Sequence, residues 1–243
     1  MLLERLETTW LNVFRVRKFI QLHFGYDPVI ENFDQSPFHM NEIGSKQAKS
    51  LAIRGCGTVP LKEGHAATRE RWTANTMVTS SVDRARALPP LELMFKAKGG
   101  GKTMGPRLRD AVPHWAPWLT VTTSESGSYN EHDVLNYLEA VLDEMHDGRD
   151  WRILVDAYSA QTTDAVRRCA WHRGYVLCVH GGGTTSILQV NDTELHQPLK
   201  AMYMEFEAAD AVQQSRLRPR SCPVPRKEDC IQWMASVWSK PDF

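Results

Sequence analysis

The chain has 243 residues, 42% of them hydrophobic and 24% charged, which is the composition of an ordinary globular protein. Lys plus Arg and Asp plus Glu number 29 each, so the charge balance argues against a dedicated nucleic-acid-binding domain, which is usually basic. The sequence has no run of about 18 apolar residues and no signal-peptide pattern at its start, so we expect no membrane span. The 5 scattered cysteines favour a reducing, intracellular compartment over a disulfide framework.

The N-terminal residues predict one long helix followed by a short strand. Apolar side chains recur at roughly helical spacing over positions 3–24, and Gly25 ends that run. Positions 29–33 then favour a strand, which we expect Pro37 to stop. Asp34 lies near the end of this strand.

Three further segments have the character of strands. Positions 50–60 and 71–80 contain β-branched residues bounded by glycine or loop residues, and with the first strand they predict an antiparallel meander. A fourth strand is indicated at 91–95, after two prolines. We expect the Gly-, Pro- and Trp-containing segment 97–120 to be irregular.

The second half predicts a strand-helix-strand unit. An amphipathic helix at 130–145 precedes a buried strand at 152–156. A second helix, capped by Thr162 or Thr163, ends before Gly174, and a strand follows at 175–179. Strand, helix and strand at this spacing form a right-handed parallel unit.

Two helices complete the chain. Three glycines at 181–183 lead towards Asp192, and a long helix is predicted from 193 to about 214. Positions 216–227 carry five basic residues, three prolines and no acidic residue, which favours an exposed linker, with phosphate contact as a lesser alternative. A last short helix is predicted at 228–238.

Three aspartates follow predicted strands. In an open α/β sheet the functional groups gather at the carboxyl ends of the strands, so Asp34, Asp156 and Asp192 are expected at one edge. Clustered carboxylates repel one another unless a cation is present, and Mg²⁺ prefers oxygen ligands. The simpler alternatives are a turn residue for Asp34, a bond from Asp156 to a loop, and a helix cap for Asp192.

The segments around these aspartates resemble a known family. Asp34 lies in Asn-Phe-Asp-Gln-Ser-Pro-Phe, Asp156 in Ile-Leu-Val-Asp-Ala-Tyr-Ser-Ala-Gln, and Asp192 in Leu-Gln-Val-Asn-Asp. Thirty-five residues, positions 157 to 191, separate the second and third acids. Together these segments resemble the acid motifs of the DDE-superfamily endonuclease domain of pogo- and mariner-type transposases, over about positions 26–214.

The resemblance implies a fold and an activity. The fold would be α/β and ribonuclease H-like, with a mixed sheet of three antiparallel strands plus the parallel strand-helix-strand unit, and with helices on both faces. Asp34, Asp156 and Asp192 would be the catalytic residues and the ligands of two Mg²⁺ ions, with Mn²⁺ as an alternative metal. The implied reaction cuts or joins DNA strands with no organic cofactor, no covalent protein intermediate and no histidine base.

Partners and compartment also come from the resemblance. Family members act on DNA in the nucleus, often as dimers, so DNA and a possible homodimer are the implied partners. Lys200, Arg71 and Arg69 are the candidate DNA contacts, although an exposed charged surface explains them as well. The implied organisation is an N-terminal helix at 1–25 left from a linker, a catalytic domain at 26–214, and a basic Pro-containing linker with a C-terminal helix at 215–243.

The chain departs from the family pattern at two positions. A histidine usually lies five residues after the second acid, where this chain has Gln161, and Val190 replaces the proline of Leu-Gln-Pro. The first 25 residues also leave no room for a helix-turn-helix region. We therefore expect a fragment, a truncated copy of an element or a domesticated derivative. The alternative function is a domesticated, catalytically silent domain that binds DNA or protein.

One choice within the third motif is fixed by helical geometry. Asp192 and Glu194 are two residues apart, which is about 200° of rotation on a helix, so both cannot face the same metal ion. Asp192 follows the Leu-Gln segment and falls at the helix start, where backbone N–H groups favour a carboxylate. We therefore expect Asp192, and not Glu194, to be the third ligand.

Overall fold

A computed structural model describes residues 2–40, 71–80, 91–97, 104–145, 151–156, 162–179, 191–217 and 225–239. The chain divides into two compact units. Unit 1 comprises Met1–Ser36, Asn75–Glu92 and Tyr129–His196, and unit 2 comprises Pro37–Ala74, Leu93–Ser128 and Gln197–Phe243. The strand expected at 50–60, together with Arg69, Gln161 and Val190, lies outside the described residues.

The described strands form one mixed sheet. They are β1 Ile30–His39, β2 Arg71–Thr79, β3 Leu91–Lys96, β4 Leu119–Ser124, β5 Arg152–Asp156 and β6 Tyr175–Val179. Their order in the sheet is β4-β3-β2-β1-β5-β6. The pairs β1–β5 and β5–β6 are parallel. β2 runs antiparallel to β1, since Ser80 bonds to Ile30 and Thr76 bonds to the Asp34 carbonyl.

Six α-helices accompany the sheet in the part of the chain that the structure describes. They are α1 Leu2–Phe24, α2 Pro106–Asp110, α3 Glu131–Met145, α4 Asp164–His172, α5 His196–Leu217 and α6 Lys227–Trp238. A π-helical turn, Asn191–Leu195, leads directly into α5. None of the described helices combines the length and the apolar character that a bilayer crossing requires.

These observations confirm the predicted α/β class and mixed sheet. The unit β5-α4-β6 is parallel, Thr163 caps α4 by accepting a hydrogen bond from the Val166 amide, and Gly174 follows the helix at φ +78°. Glycine suits that position because other residues rarely adopt a positive φ.

Helices cover both faces of the sheet in unit 1. On one face Ile20 of α1 packs with Ile153, Val155 and Cys178. On the other face the Tyr137 ring of α3 stacks on Phe33, with ring centroids 5.3 Å apart. Successive residues of a strand point to opposite faces, so Asn32 and Asp34 share the face opposite to that of Phe33.

Two expectations about local structure are wrong. Pro37 does not stop β1, which continues to His39. The described register of β1 with β5 covers Ile30 to Asn32, so Pro37 lies beyond the residues that need an N–H donor on that side. Segment 97–120 is also not wholly irregular, since it contains α2 and the start of β4.

The core of unit 2 is aromatic. Phe38, Trp72 and Tyr203 are buried, and the Trp72 ring lies 4.5 Å from that of Phe38 and 5.7 Å from that of Tyr203, measured between centroids. Trp72 therefore packs in the core of unit 2. The predicted domain boundaries at 25/26 and 214/215 remain a prediction.

A buried ion pair joins β1 to β5 in unit 1. Arg152 Nη1 donates to Glu31 Oε1 at 3.0 Å, and the two side chains are 5% and 0% exposed. Burial raises the pKa of the neighbouring Tyr137 hydroxyl, and the carboxylates of Glu92 and Glu31 raise it further. The Glu31 charge thus lies in a poorly hydrated environment, where its stability depends on Arg152.

We expect Glu31→Leu and Arg152→Met to be strongly coupled. Each single substitution keeps one buried charge but removes this ion pair, and should lower the free energy of unfolding by about 3–5 kcal/mol. The double variant replaces both charges with apolar groups and should lose far less than the sum of the two. Urea denaturation of the four proteins measures the coupling, and additive losses would contradict it.

Candidate metal centre

Asp34, Asp192 and His196 form a compact cluster in unit 1. One potential ligand atom from each side chain lies within 4.8 Å of the other two. The Asp34 and Asp192 side chains are 13% and 41% exposed, whereas the His196 side chain is 3% exposed. The cluster therefore has a buried imidazole on one side and carboxylates that solvent can reach on the other.

The π-helical turn before α5 positions two of these residues. Side chains four residues apart on a helix lie on the same side, and His196 Nδ1 lies 3.1 Å from Asp192 Oδ1. The same Nδ1 lies 3.7 Å from Asp34 Oδ2. The turn and the first residue of α5 thus bring the Asp192 carboxylate and the His196 imidazole to the Asp34 carboxylate of β1.

A buried asparagine attaches this turn to the sheet. Asn191 is fully buried, and its backbone amide donates to Asn32 Oδ1 at 3.2 Å. Its side-chain Nδ2 donates to the Asn32 carbonyl and to Asn32 Oδ1, each at 3.0 Å. Asn32 Nδ2 in turn donates to the Val155 carbonyl at 3.1 Å, so the network extends to β5.

Thr76 of β2 connects this network to the histidine. Its hydroxyl donates to Asn191 Oδ1 at 3.1 Å and lies 2.9 Å from His196 Nε2. A hydroxyl has one hydrogen, and both Asn191 Oδ1 and the Asp34 carbonyl, 3.4 Å away, are oxygens that can only accept it. The best-satisfied arrangement therefore has His196 Nε2–H donating to Thr76 Oγ1.

This arrangement fixes the chemical character of His196 Nδ1. With the proton on Nε2, the lone pair of a neutral imidazole at Nδ1 faces the carboxylates of Asp34 and Asp192. A lone pair and two carboxylates repel one another unless a positive charge lies between them. Either a proton on Nδ1 or a metal ion supplies that charge, and the donor set fits a divalent ion.

Asp156 is the last residue of β5, the strand next to β1. Its backbone is one position beyond the pair Asn32–Val155 and is paired with Val179 of β6. The carboxyl ends of β1 and β5 lie at the same edge of the sheet because the strands are parallel. Continued by one position, that register places the backbone of Asp156 beside Phe33, the residue before Asp34.

The candidate DNA contacts lie in unit 2. Arg71 is exposed at the start of β2, and Lys200 is half-buried on α5, with its Nζ 5.4 Å from the centroid of the Phe38 ring. The Lys200 ammonium thus already has a cation–π partner. Glu194 is exposed and does not belong to the cluster.

Sequence reasoning identified two members of the cluster and missed His196, Asn191 and Thr76. The signal for His196 was present, since a histidine four residues after Asp192 shares its side of a helix. Asn191 and Thr76 carry no comparable signal, because their roles arise from contacts across 159 and 120 positions of the chain.

No protein-family model and no curated protein matches the chain. Solved structures to which it is similar include complexes of a mariner transposase. They are a pre-cleavage Mos1 transpososome (12% identity, TM-score 0.46, 96% of this chain and 59% of that chain) and a Mos1 transposase paired-end complex with the left transposon end (13%, 0.46, 98% and 60%). A Mos1 mariner paired-end complex with Mn is also similar (12%, 0.43, 87% and 54%). The chain thus spans less than two thirds of these transposase chains.

We expect Asn191→Ala to destabilise unit 1. The substitution removes the two side-chain bonds to Asn32 and the bond from the Thr76 hydroxyl, while the backbone amide bond to Asn32 remains, and the buried loss should cost about 2–3 kcal/mol. Asn136→Ala is the matched control because Asn136 is exposed on α3, and it should change stability by no more than about 0.5 kcal/mol. Equal unfolding free energies for the two variants, measured in urea, would show that the network is not structurally important.

Proposed function

We propose that the chain is a transposase-type, metal-dependent DNA endonuclease and strand transferase that acts in the nucleus. The observation that carries the proposal is the cluster of Asp34, Asp192 and His196, whose ligand atoms lie within 4.8 Å of one another. The three acid motifs in the sequence support the same function. The backbone of Asp156 at the neighbouring strand end supports its assignment as the third carboxylate.

The cluster fits a divalent cation. Asp34, Asp192 and His196, together with Asp156, would hold the metal, which is Mg²⁺ or Mn²⁺ in this proposal. When bound, such ions polarise a phosphate and activate an oxygen nucleophile for phosphoryl transfer. The carboxylates at the mouth of the cluster are the more exposed ligands, so they face the side from which DNA would approach.

The protein's own residues prepare this site without taking part in bond breaking. The Nε2–H bond to Thr76 orients the His196 ring, and the bonds of Asn191 to Asn32 hold the turn that bears Asp192. Ligands held in place by such outer contacts need no rearrangement when the ion binds. No covalent protein intermediate is required.

The imidazole in the cluster has a consequence for metal choice. Mg²⁺ strongly prefers oxygen ligands, whereas nitrogen ligands favour metals later in the first transition row. A site with two carboxylates and a neutral imidazole is therefore better matched to Mn²⁺ than to Mg²⁺. This choice differs from the Mg²⁺ that the sequence motifs imply.

The nicking of supercoiled DNA tests the catalytic proposal. Asp192→Asn removes a metal ligand and should abolish metal-dependent nicking, whereas Glu194→Gln alters an exposed acid two residues away and should leave most of the activity. The rate of conversion to open-circular DNA is measured with each metal. A wild-type chain that binds the metal but never nicks would favour the catalytically silent alternative, and loss of nicking only in Glu194→Gln would show that the third motif is misassigned.

Titration calorimetry with Mn²⁺ and Mg²⁺ tests the role of His196 without any reaction. The wild-type chain should bind Mn²⁺ more tightly than Mg²⁺, and His196→Gln should weaken Mn²⁺ binding by roughly tenfold or more while changing Mg²⁺ binding less. Glu194→Gln is the control and should behave as wild type. Unchanged Mn²⁺ affinity in a folded His196→Gln variant would remove His196 from the ligand set.

A further inference from the structure

A pocket with apolar walls lies beside α1 in unit 1. Eight described residues line a space of about 620 Å³, and seven of them are apolar. Four of the seven are aromatic: Phe19 and Phe24 of α1, Trp151 directly before β5, and Trp171 near the end of α4. This size and lining are typical of small-molecule sites, whose volumes run from about 300 to 1,000 Å³.

The inner wall of the pocket belongs to the core of unit 1. Ile20 is 1% exposed and packs against Ile153 and Cys178, so this part of α1 is anchored on the sheet. The Trp151 amide donates to the Tyr26 hydroxyl, which in turn donates to the Trp151 carbonyl at 3.4 Å. The folded chain therefore builds these walls without a ligand.

Aromatic side chains form the exposed part of the lining. The centroids of the Trp151 and Trp171 rings lie 4.6 Å apart, and those of Phe19 and Phe24 lie 6.5 Å apart. Phe19, Phe24 and Trp171 are all exposed, and large exposed apolar groups gathered around one pocket are characteristic of binding sites. Such rings favour an aromatic ligand, which stacks on them or contacts them edge to face.

Arg15 supplies the one charge among the lining residues. It is exposed, and no acidic side chain in the described part of the chain pairs with it, whereas the guanidinium of Arg17 is paired with Asp27. Between positions 11 and 19, α1 carries three basic residues and no acidic one. A guanidinium beside an apolar pocket attracts an anion and repels a cation, and its planar donors match a carboxylate.

We propose that this pocket binds a small aromatic carboxylate. The ring system lies among Phe19, Trp151 and Trp171, and the carboxylate accepts hydrogen bonds from the Arg15 guanidinium. The ligand is a free small molecule, because α1, α4 and β6 all contribute walls to a space of the size that such molecules occupy. One apolar body and one negative charge satisfy both parts of the lining.

The pocket lies near the amino ends of β5 and β6, away from the candidate metal centre. Trp151 precedes β5 and Val176 is the second residue of β6, whereas Asp156 ends β5. Val176 is three positions before Val179, the residue that pairs with Asp156, which is about 10 Å of strand. No pocket residue belongs to the cluster, so the proposal does not depend on the proposed nuclease activity.

Isothermal titration calorimetry of the full chain with 2-naphthoate tests the pocket. The titration is done without divalent metal, so that the carboxylate of the probe cannot bind a metal ion at the cluster. We expect a Kd below about 1 mM, which a ligand of this size reaches in a well-formed pocket. Naphthylmethylammonium, which has a similar shape and the opposite charge, and decanoate, which has the charge but no ring, should each bind at least about tenfold more weakly.

Two variants change the two parts of the lining separately. Arg15→Gln removes the cation and should weaken naphthoate binding by about tenfold, while abolishing the preference for naphthoate over the ammonium probe. Trp171→Ala removes an exposed aromatic wall and should also weaken naphthoate binding by about tenfold. Because both residues are exposed, the variants are expected to fold, and circular dichroism checks this.

Each variant has a matched control. Lys18→Gln removes an exposed basic residue of α1 that does not line the pocket, and Trp115→Ala truncates a tryptophan of unit 2 that is 54% exposed, against 56% for Trp171. Both controls should bind naphthoate as the wild type does. A wild type that does not bind naphthoate, equal binding of the ammonium probe or of decanoate, unchanged affinity in Arg15→Gln and Trp171→Ala, or an equal loss in the controls would each overturn the proposal.

Discussion

The candidate centre depends on the hydrogen bonds between Asn191 and Asn32. The backbone amide and the side-chain amide of Asn191 make three hydrogen bonds to Asn32 of β1, at 3.0 to 3.2 Å. Both residues are buried, so solvent does not reach these bonds. Because an unsatisfied polar group at such a depth is costly, the turn has little freedom to move relative to β1. Asp192 lies on that turn and His196 follows it directly at the start of α5, so their distances from Asp34 depend on the asparagine pair.

The same hydrogen-bond network orients the His196 ring in the cluster. Thr76 can satisfy both Asn191 and His196 only if the imidazole proton lies on Nε2, and that choice directs the other nitrogen towards the carboxylates. A serine or a glutamine in place of the histidine would leave the network and the carboxylates disconnected. The hydrogen-bond network and the three candidate ligands are thus directly connected through His196.

Much of the fold could be predicted from local patterns, and the remainder could not for definable reasons. β5, α4 and β6 follow from apolar runs, a threonine cap and a glycine with positive φ, all of which are short-range signals. β4 and α2 were missed because one is a short strand with polar residues and the other has no buried side chain. The path of β1 past Pro37 depends on where β5 stops pairing, which no local pattern records.

The candidate site also combines residues that local patterns predict with residues that only long-range contacts reveal. Asp34 and Asp192 stand out because acidic residues follow predicted strands, whereas Asn191 and Thr76 acquire their roles only through contacts between distant parts of the chain. His196 lies between these cases, since its spacing from Asp192 is local but its contact with Thr76 joins distant parts of the chain.

The central claim is that these side chains form one metal centre. The most direct measurement is anomalous diffraction at the manganese edge from crystals of the chain soaked in Mn²⁺. The account predicts a peak bounded by the carboxylates of Asp34 and Asp192 and by Nδ1 of His196, at ligand distances near 2.2 Å, roughly between those of Mg²⁺ and Ca²⁺. A well-ordered site that shows no peak there, with Nδ1 bonded directly to Asp192 at saturating Mn²⁺, would contradict it.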